Sequence, residues 1–125
     1  MRVEIVFTEA PILPPSLALP SREVGASVEF QGIVRELENG RSLQGLHYEA
    51  YESMARRQLE QIFEELCREH PCLGVTFVHR LGWVPVGEAS LFIRVLAKHR
   101  GEALAFCAAA IDRMKRDVPI WKRPG

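Results

Sequence analysis

The stretch Val75–Asp117, VTFVHRLGWVPVGEASLFIRVLAKHRGEALAFCAAAIDRMKRD, decides the architecture. Its first parts, Val75–Leu81 (VTFVHRL) and Ala89–Ala97 (ASLFIRVLA), are short and rich in β-branched and aromatic residues. They predict two strands joined by Gly82–Glu88. From about Gly101 to Asp117 the period changes. Leu104, Cys107, Ala108, Ile111 and Met114 or Lys115 recur every three or four residues, as on one face of a helix. Ala108, Ala109 and Ala110 allow that helix to approach a sheet closely.

Outward from this stretch the same unit recurs. Gly25–Arg35 (GASVEFQGIVR) predicts a strand, with Gly32 inside it marking a bulge or a close backbone approach. Glu38-Asn39-Gly40 is a hairpin signal, since Asn-Gly suits positive φ, and Ser42–Tyr51 (SLQGLHYEAY) is the expected partner strand. A helix follows over Glu52–Glu69, with Ala55, Leu59, Ile62, Phe63 and Leu66 at helical spacing and Pro71 and Gly74 ending it. Arg56, Arg57, Glu60, Glu64 and Arg68 fall mostly off that stripe and read as a solvated face. Arg2–Thr8 alternates like a half-buried strand. Residues 9–22 hold Pro11, Pro14, Pro15 and Pro20 and read as a loop with room for one short helical turn. The order is strand, strand–strand–helix, strand–strand–helix. The expected class is α+β, a mainly antiparallel sheet with two principal helices packed on it.

At 125 residues the chain suits a single domain, 1–125, with one core. Sixteen acids balance sixteen bases, so no global field recruits nucleic acid or a membrane, and any anion site has to be a local cluster. No apolar run approaches the ~20 residues of a membrane span, and the N-terminus is unlike a signal peptide, which points to a cytoplasmic protein. The three cysteines form no CxxC; Cys67 and Cys107 lie among apolar residues on the expected helices and read as packing groups. Nucleotide-binding glycine motifs, a nucleophile elbow and a metal-spaced His/Cys set are all missing, so neither a metal nor a cofactor is expected.

The chemistry-bearing candidates are basic. His99 and Arg100 stand where the last strand passes into the last helix, and backbone N–H groups at a helix start attract anions. Lys115 lies near the helix end, and Lys122 follows Pro119, Ile120 and Trp121. Apolar neighbours there would partly desolvate both lysines, which favours the neutral amine and proton transfer near neutral pH. Arg35 ends a strand just before a turn, where side chains often line a site. His79-Arg80 falls within a strand and reads as structural. Glu49, in YEAY, is expected to pair with a neighbouring base.

Five ordered segments carry a family resemblance: GASVEFQGIVR, YEAYESMA, VHRLGWVPVGE, AKHRGEALAFCAAAID and MKRDVPIWK, spanning Gly25 to Arg123. The chain resembles the catalytic (large) subunits of molybdopterin synthase, the MoaE family. That resemblance implies a MoaE-like fold of the alpha/beta-hammerhead type. It also implies sulfur transfer from the C-terminal thiocarboxylate of a small ubiquitin-like, MoaD-type carrier subunit to cyclic pyranopterin monophosphate (precursor Z), forming the molybdopterin dithiolene. Large subunits of the family form a homodimer within a heterotetramer. By motif, Lys115 and Lys122 would be catalytic. Ile33, Val34, Arg35, His99, Arg100, Lys115, Lys122 and Arg123 would bind substrate. Relatives continue past the WK motif with an acidic residue and a further tail, whereas here Arg123, Pro124 and Gly125 follow.

Helix length adds an expectation about assembly. Arg100 and Lys115 are fifteen residues apart, roughly 22 Å along a straight helix, too far for one small substrate to touch both. A shared site would therefore draw Lys115 and Lys122 from one protomer and His99 and Arg100 from the other. Two other readings compete: a non-catalytic carrier-binding or regulatory homologue, disfavoured by the retained lysines, and an RNA-binding α+β domain, disfavoured by the neutral charge.

Overall fold

A computed structural model describes residues 1–124 of the chain. Strand β1 is Arg2–Thr8, β2 Ala26–Ile33, β3 Leu37–Glu38, β4 Arg41–Ser42 and β5 Gly45–Ala50. Helix α1 spans Glu52–Glu69, followed by β6 (Gly74–Arg80), β7 (Gly82–Pro85), β8 (Ala89–Ala97), helix α2 (Arg100–Asp117) and β9 (Ile120–Pro124). Three sheets form: β1-β6-β8-β2, the isolated hairpin β3-β4, and β7-β5-β9. Among the described residues only the β1–β6 pairing is parallel. The class read from the sequence, two helices on mainly antiparallel sheet, is the observed one.

Both helices pack on one face of the four-stranded sheet. Leu59, Ile62, Phe63 and Leu66 of α1 and Ala103, Phe106, Cys107 and Ala110 of α2 meet Phe77, Ile93 and Val95 of β6 and β8. The α1 stripe matches its periodicity. Of the expected α2 stripe, Cys107 and Met114 are buried and Ile111 packs partly against the core, while Leu104 is 55% exposed and Ala108 also faces outward; Ala103, Phe106 and Ala110 complete the buried face. Phe106 fixes which face is buried, since burying an aromatic ring outweighs burying an alanine. Two apolar faces thus share one helix.

The opposite face of β8 is covered as well. The Arg94 guanidinium is 6% exposed and donates to the Pro15 carbonyl at 2.8 Å while pairing with Glu29 at 2.8 Å. The proline-rich segment is therefore strapped across the sheet by a buried arginine, and no helical turn forms in it. Arg56 lies on the exposed face of α1 as expected, and its guanidinium also donates to the Ile5 carbonyl of the edge strand at 2.6 Å. Arg68 and Glu64 also stay exposed, as an i,i+4 pair.

The hairpin expectation divides. Asn39 (φ 53°) and Gly40 (φ 76°) make the positive-φ turn, but the strands it joins are only two residues long. Ser42–Tyr51 is not one strand pairing with Gly25–Arg35: β2 pairs with β8, and β5 starts at Gly45 and joins a different sheet. A register shift between Gly32 and Ile33 provides the expected bulge and turns Val34 into a second small core with Leu46 and Val84. Gly82–Glu88, expected as a connection, holds β7, and the terminal Ile120–Pro124 adds β9.

Burial pushes the Cys72 thiol up to about 12 and raises that of Cys107, so both behave as packing groups. No helix among the described residues is long and apolar enough to cross a membrane.

Candidate functional site

The seam between the two larger sheets is where backbone geometry assembles polar chemistry. Helix α2 stops because Val118 precedes Pro119 and is held extended (φ −92°, ψ 135°). The chain then runs antiparallel to β5, with Ile120 opposite Ala50 and Lys122 opposite Tyr48. This return brings Lys122 back beside Lys115. From the other side, the bulge after Gly32 delivers Ile33, Val34 and Arg35 to the same place.

The result is a cavity of about 660 Å³. Its apolar wall includes Ile33, Val34, Leu46, Leu91, Met114 and Ile120, and its cations are Arg35, Lys115 and Lys122. Glu38 is the acid among the described lining residues. Lys122 Nζ lies 2.9 Å from Glu38 Oε1, whereas Arg35 and Lys115 make no salt bridge among the described residues. The hydrogen-bonded Lys122 ammonium holds the Glu38 carboxyl below its ordinary range against the effect of partial burial, and the charges of Lys122, Arg35 and Lys115 add to this. Unpaired cations beside apolar surface suit an anionic ligand with a flat or extended apolar portion.

His79 lines the pocket from β6 and is 4% exposed. Its Nδ1 lies 2.8 Å from the Arg80 carbonyl oxygen, so this nitrogen carries the proton and Nε2 is left as an acceptor. Burial lowers its pKa to about 4, and Tyr48 and Phe77 pack around the ring. The packed, hydrogen-bonded role expected for His79 is the one observed. Arg80 pairs with Glu88 at 2.6 Å.

Both lysines are exposed in the single chain, Lys122 to 48%, so the expected desolvation by Pro119, Ile120 and Trp121 is not met within one protomer. His99 and Arg100 are not in this cavity. They stand at the opposite end of α2, exposed, with His99 Nδ1 3.6 Å from Glu102 Oε2 and 76% accessible. Arg123 is outside the cavity too, lining a smaller recess of about 160 Å³ with Glu38 and Lys122 and pairing with Glu49 at 2.9 Å. Glu49 has the basic partner expected of it. Glu38, Tyr48 and His79 are pocket residues that the sequence did not single out as such. Glu38 looked like turn chemistry, and no local pattern places a hairpin carboxylate on a lysine 84 residues away.

Comparison with known proteins gives the same direction. The MoaE protein family model matches residues 7–117. The molybdopterin synthase catalytic subunit of Oryza sativa subsp. indica is 44% identical over 99 residues, covering 79% of this chain and 51% of the relative. The chain thus spans about half the length of that curated relative. The crystal structure of molybdopterin synthase from Staphylococcus aureus superposes with a TM-score of 0.85 at 35% identity, over 98% of this chain and 89% of the other. The protein–protein complex of subunit 1 and 2 of the molybdopterin-converting factor from Helicobacter pylori gives a TM-score of 0.71 at 26% identity, covering 98% of this chain and 83% of that one.

Proposed function

The chain belongs to the MoaE protein family, and from that premise we propose that it is the catalytic subunit of a molybdopterin synthase. Its substrates are the C-terminal thiocarboxylate of a small ubiquitin-like carrier and cyclic pyranopterin monophosphate, and its product is the molybdopterin dithiolene. The observation that carries the reading is the convergence of Arg35, Lys115 and Lys122 on one apolar-walled cavity, with Arg35 and Lys115 free of carboxylate partners among the described residues.

In this reading the apolar wall around Val34, Leu46 and Leu91 takes the carrier's extended tail, and Arg35 and Lys122 hold the anionic pterin substrate. Lys115 is the catalytic group. Its ammonium stabilises negative charge as the thiocarboxylate sulfur bonds to a pterin side-chain carbon and the C–O bond there breaks, and it gives a proton to the departing oxygen. Water then cleaves the acyl C–S bond, leaving the sulfur on the pterin and a carboxylate on the carrier. A preorganised cation beside low-dielectric surface does this better than water can.

The site is completed by a second copy. Leu104 and Ala108 are exposed on α2 in line with Lys115, Ile111 flanks them half-buried, and Ala108 lies near the middle of the helix. A two-fold axis beside Ala108 lays two such helices antiparallel and brings His99 and Arg100 of one copy to Lys115 of the other. The same packing would supply the desolvation that the isolated protomer lacks. A single domain over residues 1–125, a homodimer within a heterotetramer and a cytoplasmic location are parts of the same proposal.

The test is reconstitution of this protein with a thiocarboxylated carrier and precursor Z. Formation of molybdopterin supports the proposal. Stable carrier binding without product would overturn it in favour of a non-catalytic carrier-binding role.

A further inference from the structure

The charged groups of the cavity serve the anionic part of a ligand. Arg35, Lys115 and Lys122 can only donate, and the Glu38 carboxylate is engaged by Lys122 at 2.9 Å. His79 is different. It is 4% exposed and lines the cavity, and its Nδ1–H is spent on the Arg80 carbonyl at 2.8 Å. Nε2 is then a neutral acceptor, and among the described residues nothing donates to it. Tyr48 packs edge-on to the ring, with centroids 5.2 Å apart, but forms no hydrogen bond with it among the described residues. A buried acceptor left unmatched is costly, and in a pocket the ligand can supply the match.

The place of His79 indicates which ligand. It lies opposite Leu91 in the β6–β8 pairing, so the two side chains share a face. Tyr48 is two residues from Leu46 on β5, on the same side of that strand. The acceptor therefore stands within the apolar wall assigned to the carrier's tail. An extended tail laid on this wall leaves water behind, and its backbone N–H groups then need partners. Strand β5 is paired to β7 on one side and β9 on the other, which occupies its own backbone. We propose that His79 is a binding and specificity-determining residue of the sulfur-transfer site: its Nε2 accepts a hydrogen bond from a backbone N–H of the carrier's C-terminal tail and fixes the tail's register on the wall. The inference rests on the reading of this cavity as the substrate site. A site built around such an acceptor rejects a tail that lacks the donor, because the histidine is then left unpaired. Burial lowers the His79 pKa to about 4, which keeps the ring neutral and the acceptor open at neutral pH.

Two substitutions separate the two ring nitrogens. His79→Asn keeps a donor for the Arg80 carbonyl but has nothing where Nε2 stands. His79→Gln places an amide oxygen near Nε2 and gives up the bond to Arg80. In the reconstituted reaction His79→Asn should raise the KM for the thiocarboxylated carrier about tenfold and leave the KM for precursor Z unchanged. His79→Gln should restore most of the carrier KM although it lacks the structural bond. The second probe is the carrier with an ordinary C-terminal carboxylate, N-methylated at each of its last amides in turn and titrated calorimetrically. At one position methylation should weaken binding to the unsubstituted protein about tenfold and cost nothing further in His79→Asn. A purely structural histidine predicts the reverse order, with Asn better than Gln, and that order would overturn the proposal. So would an unchanged carrier KM in His79→Asn, or a rise in the precursor Z KM alone. Methylation that has no effect at any position would overturn it on the unsubstituted protein, whether or not the variants fold. Absence of molybdopterin from the unsubstituted protein would overturn the substrate-site reading and this inference with it.

Discussion

The two ends of α2 carry the same kind of residue in opposite settings. At the C-terminal end Lys115 shares an apolar-walled cavity with Arg35 and Lys122, and a buried histidine, His79, forms part of the lining. At the N-terminal end His99 and Arg100 stand exposed, with Glu102 nearby and His99 in a small recess beside Cys72 and Lys98. One end holds a cavity of about 660 Å³ and the other a recess of about 190 Å³ that Arg100 does not line. Helix N-terminal amides and two basic side chains attract anions, but the larger apolar wall that would orient one is at the opposite end. In the proposed dimer these are two half-sites, each completed when a second helix is laid against it in the opposite direction.

The largest effect should come from the pocket end. Lys115→Ala is expected to lower molybdopterin formation by about a hundred- to a thousandfold in the reconstituted reaction. Thermal unfolding should shift little, because the side chain is exposed and holds no salt bridge among the described residues. A variant that lost activity only in proportion to lost stability would place Lys115 in the fold instead of the chemistry.

The two histidines sharpen the contrast through pH. Burial lowers the His79 pKa from 6.5 to about 4. The unfolded chain takes up a proton near pH 6.5, while the folded protein does so only near 4, so stability is full above 6.5 and falls as pH drops through this window. The loss should total about 3 kcal/mol, read from urea unfolding between pH 7 and pH 4. His79→Gln should remove that component, whereas His99→Gln, at an exposed position, should keep it. An unchanged pH profile in His79→Gln would assign the loss to other groups.

What was legible in the sequence follows from the range of the forces involved. Strand β8 and both helices were read to within a residue because periodicity is local. The strand β9 was not, because IWKRP has no alternation and is extended through Pro119 and its pairing with β5. That pairing carries Lys122 to Lys115, so the pocket could be named from motifs but not built from them. The break of Ser42–Tyr51 into two sheets was hidden for the same reason: which strand is a partner depends on residues far along the chain. Arg56 shows what binary pattern omits: it stays exposed off the apolar stripe, as expected, yet its long side chain also reaches a carbonyl of the edge strand. The α2 stripe holds at Cys107 and Met114 but not at Leu104 and Ala108, because that helix has a second, outward apolar face that local periodicity does not separate from the buried one.

That outward face makes the comparison breakable. Arg100→Ala should cost about tenfold in turnover, less than Lys115→Ala, because it removes one of several anion-holding groups and none of the larger cavity's lining. The informative step is to mix the two variants as unfolded chains and refold them together in equal amounts. If a complete site takes Lys115 from one copy and Arg100 from the other, half of the dimers are mixed. Each mixed dimer then has one intact site and one site carrying both substitutions. Activity should rise to about a quarter of the unsubstituted protein's, above the mean of the two variants refolded separately. If both residues act within one chain, every site keeps a defect and mixing recovers nothing. The two ends of α2 would then belong to separate sites, and the exposed Leu104–Ala108 face would need another explanation.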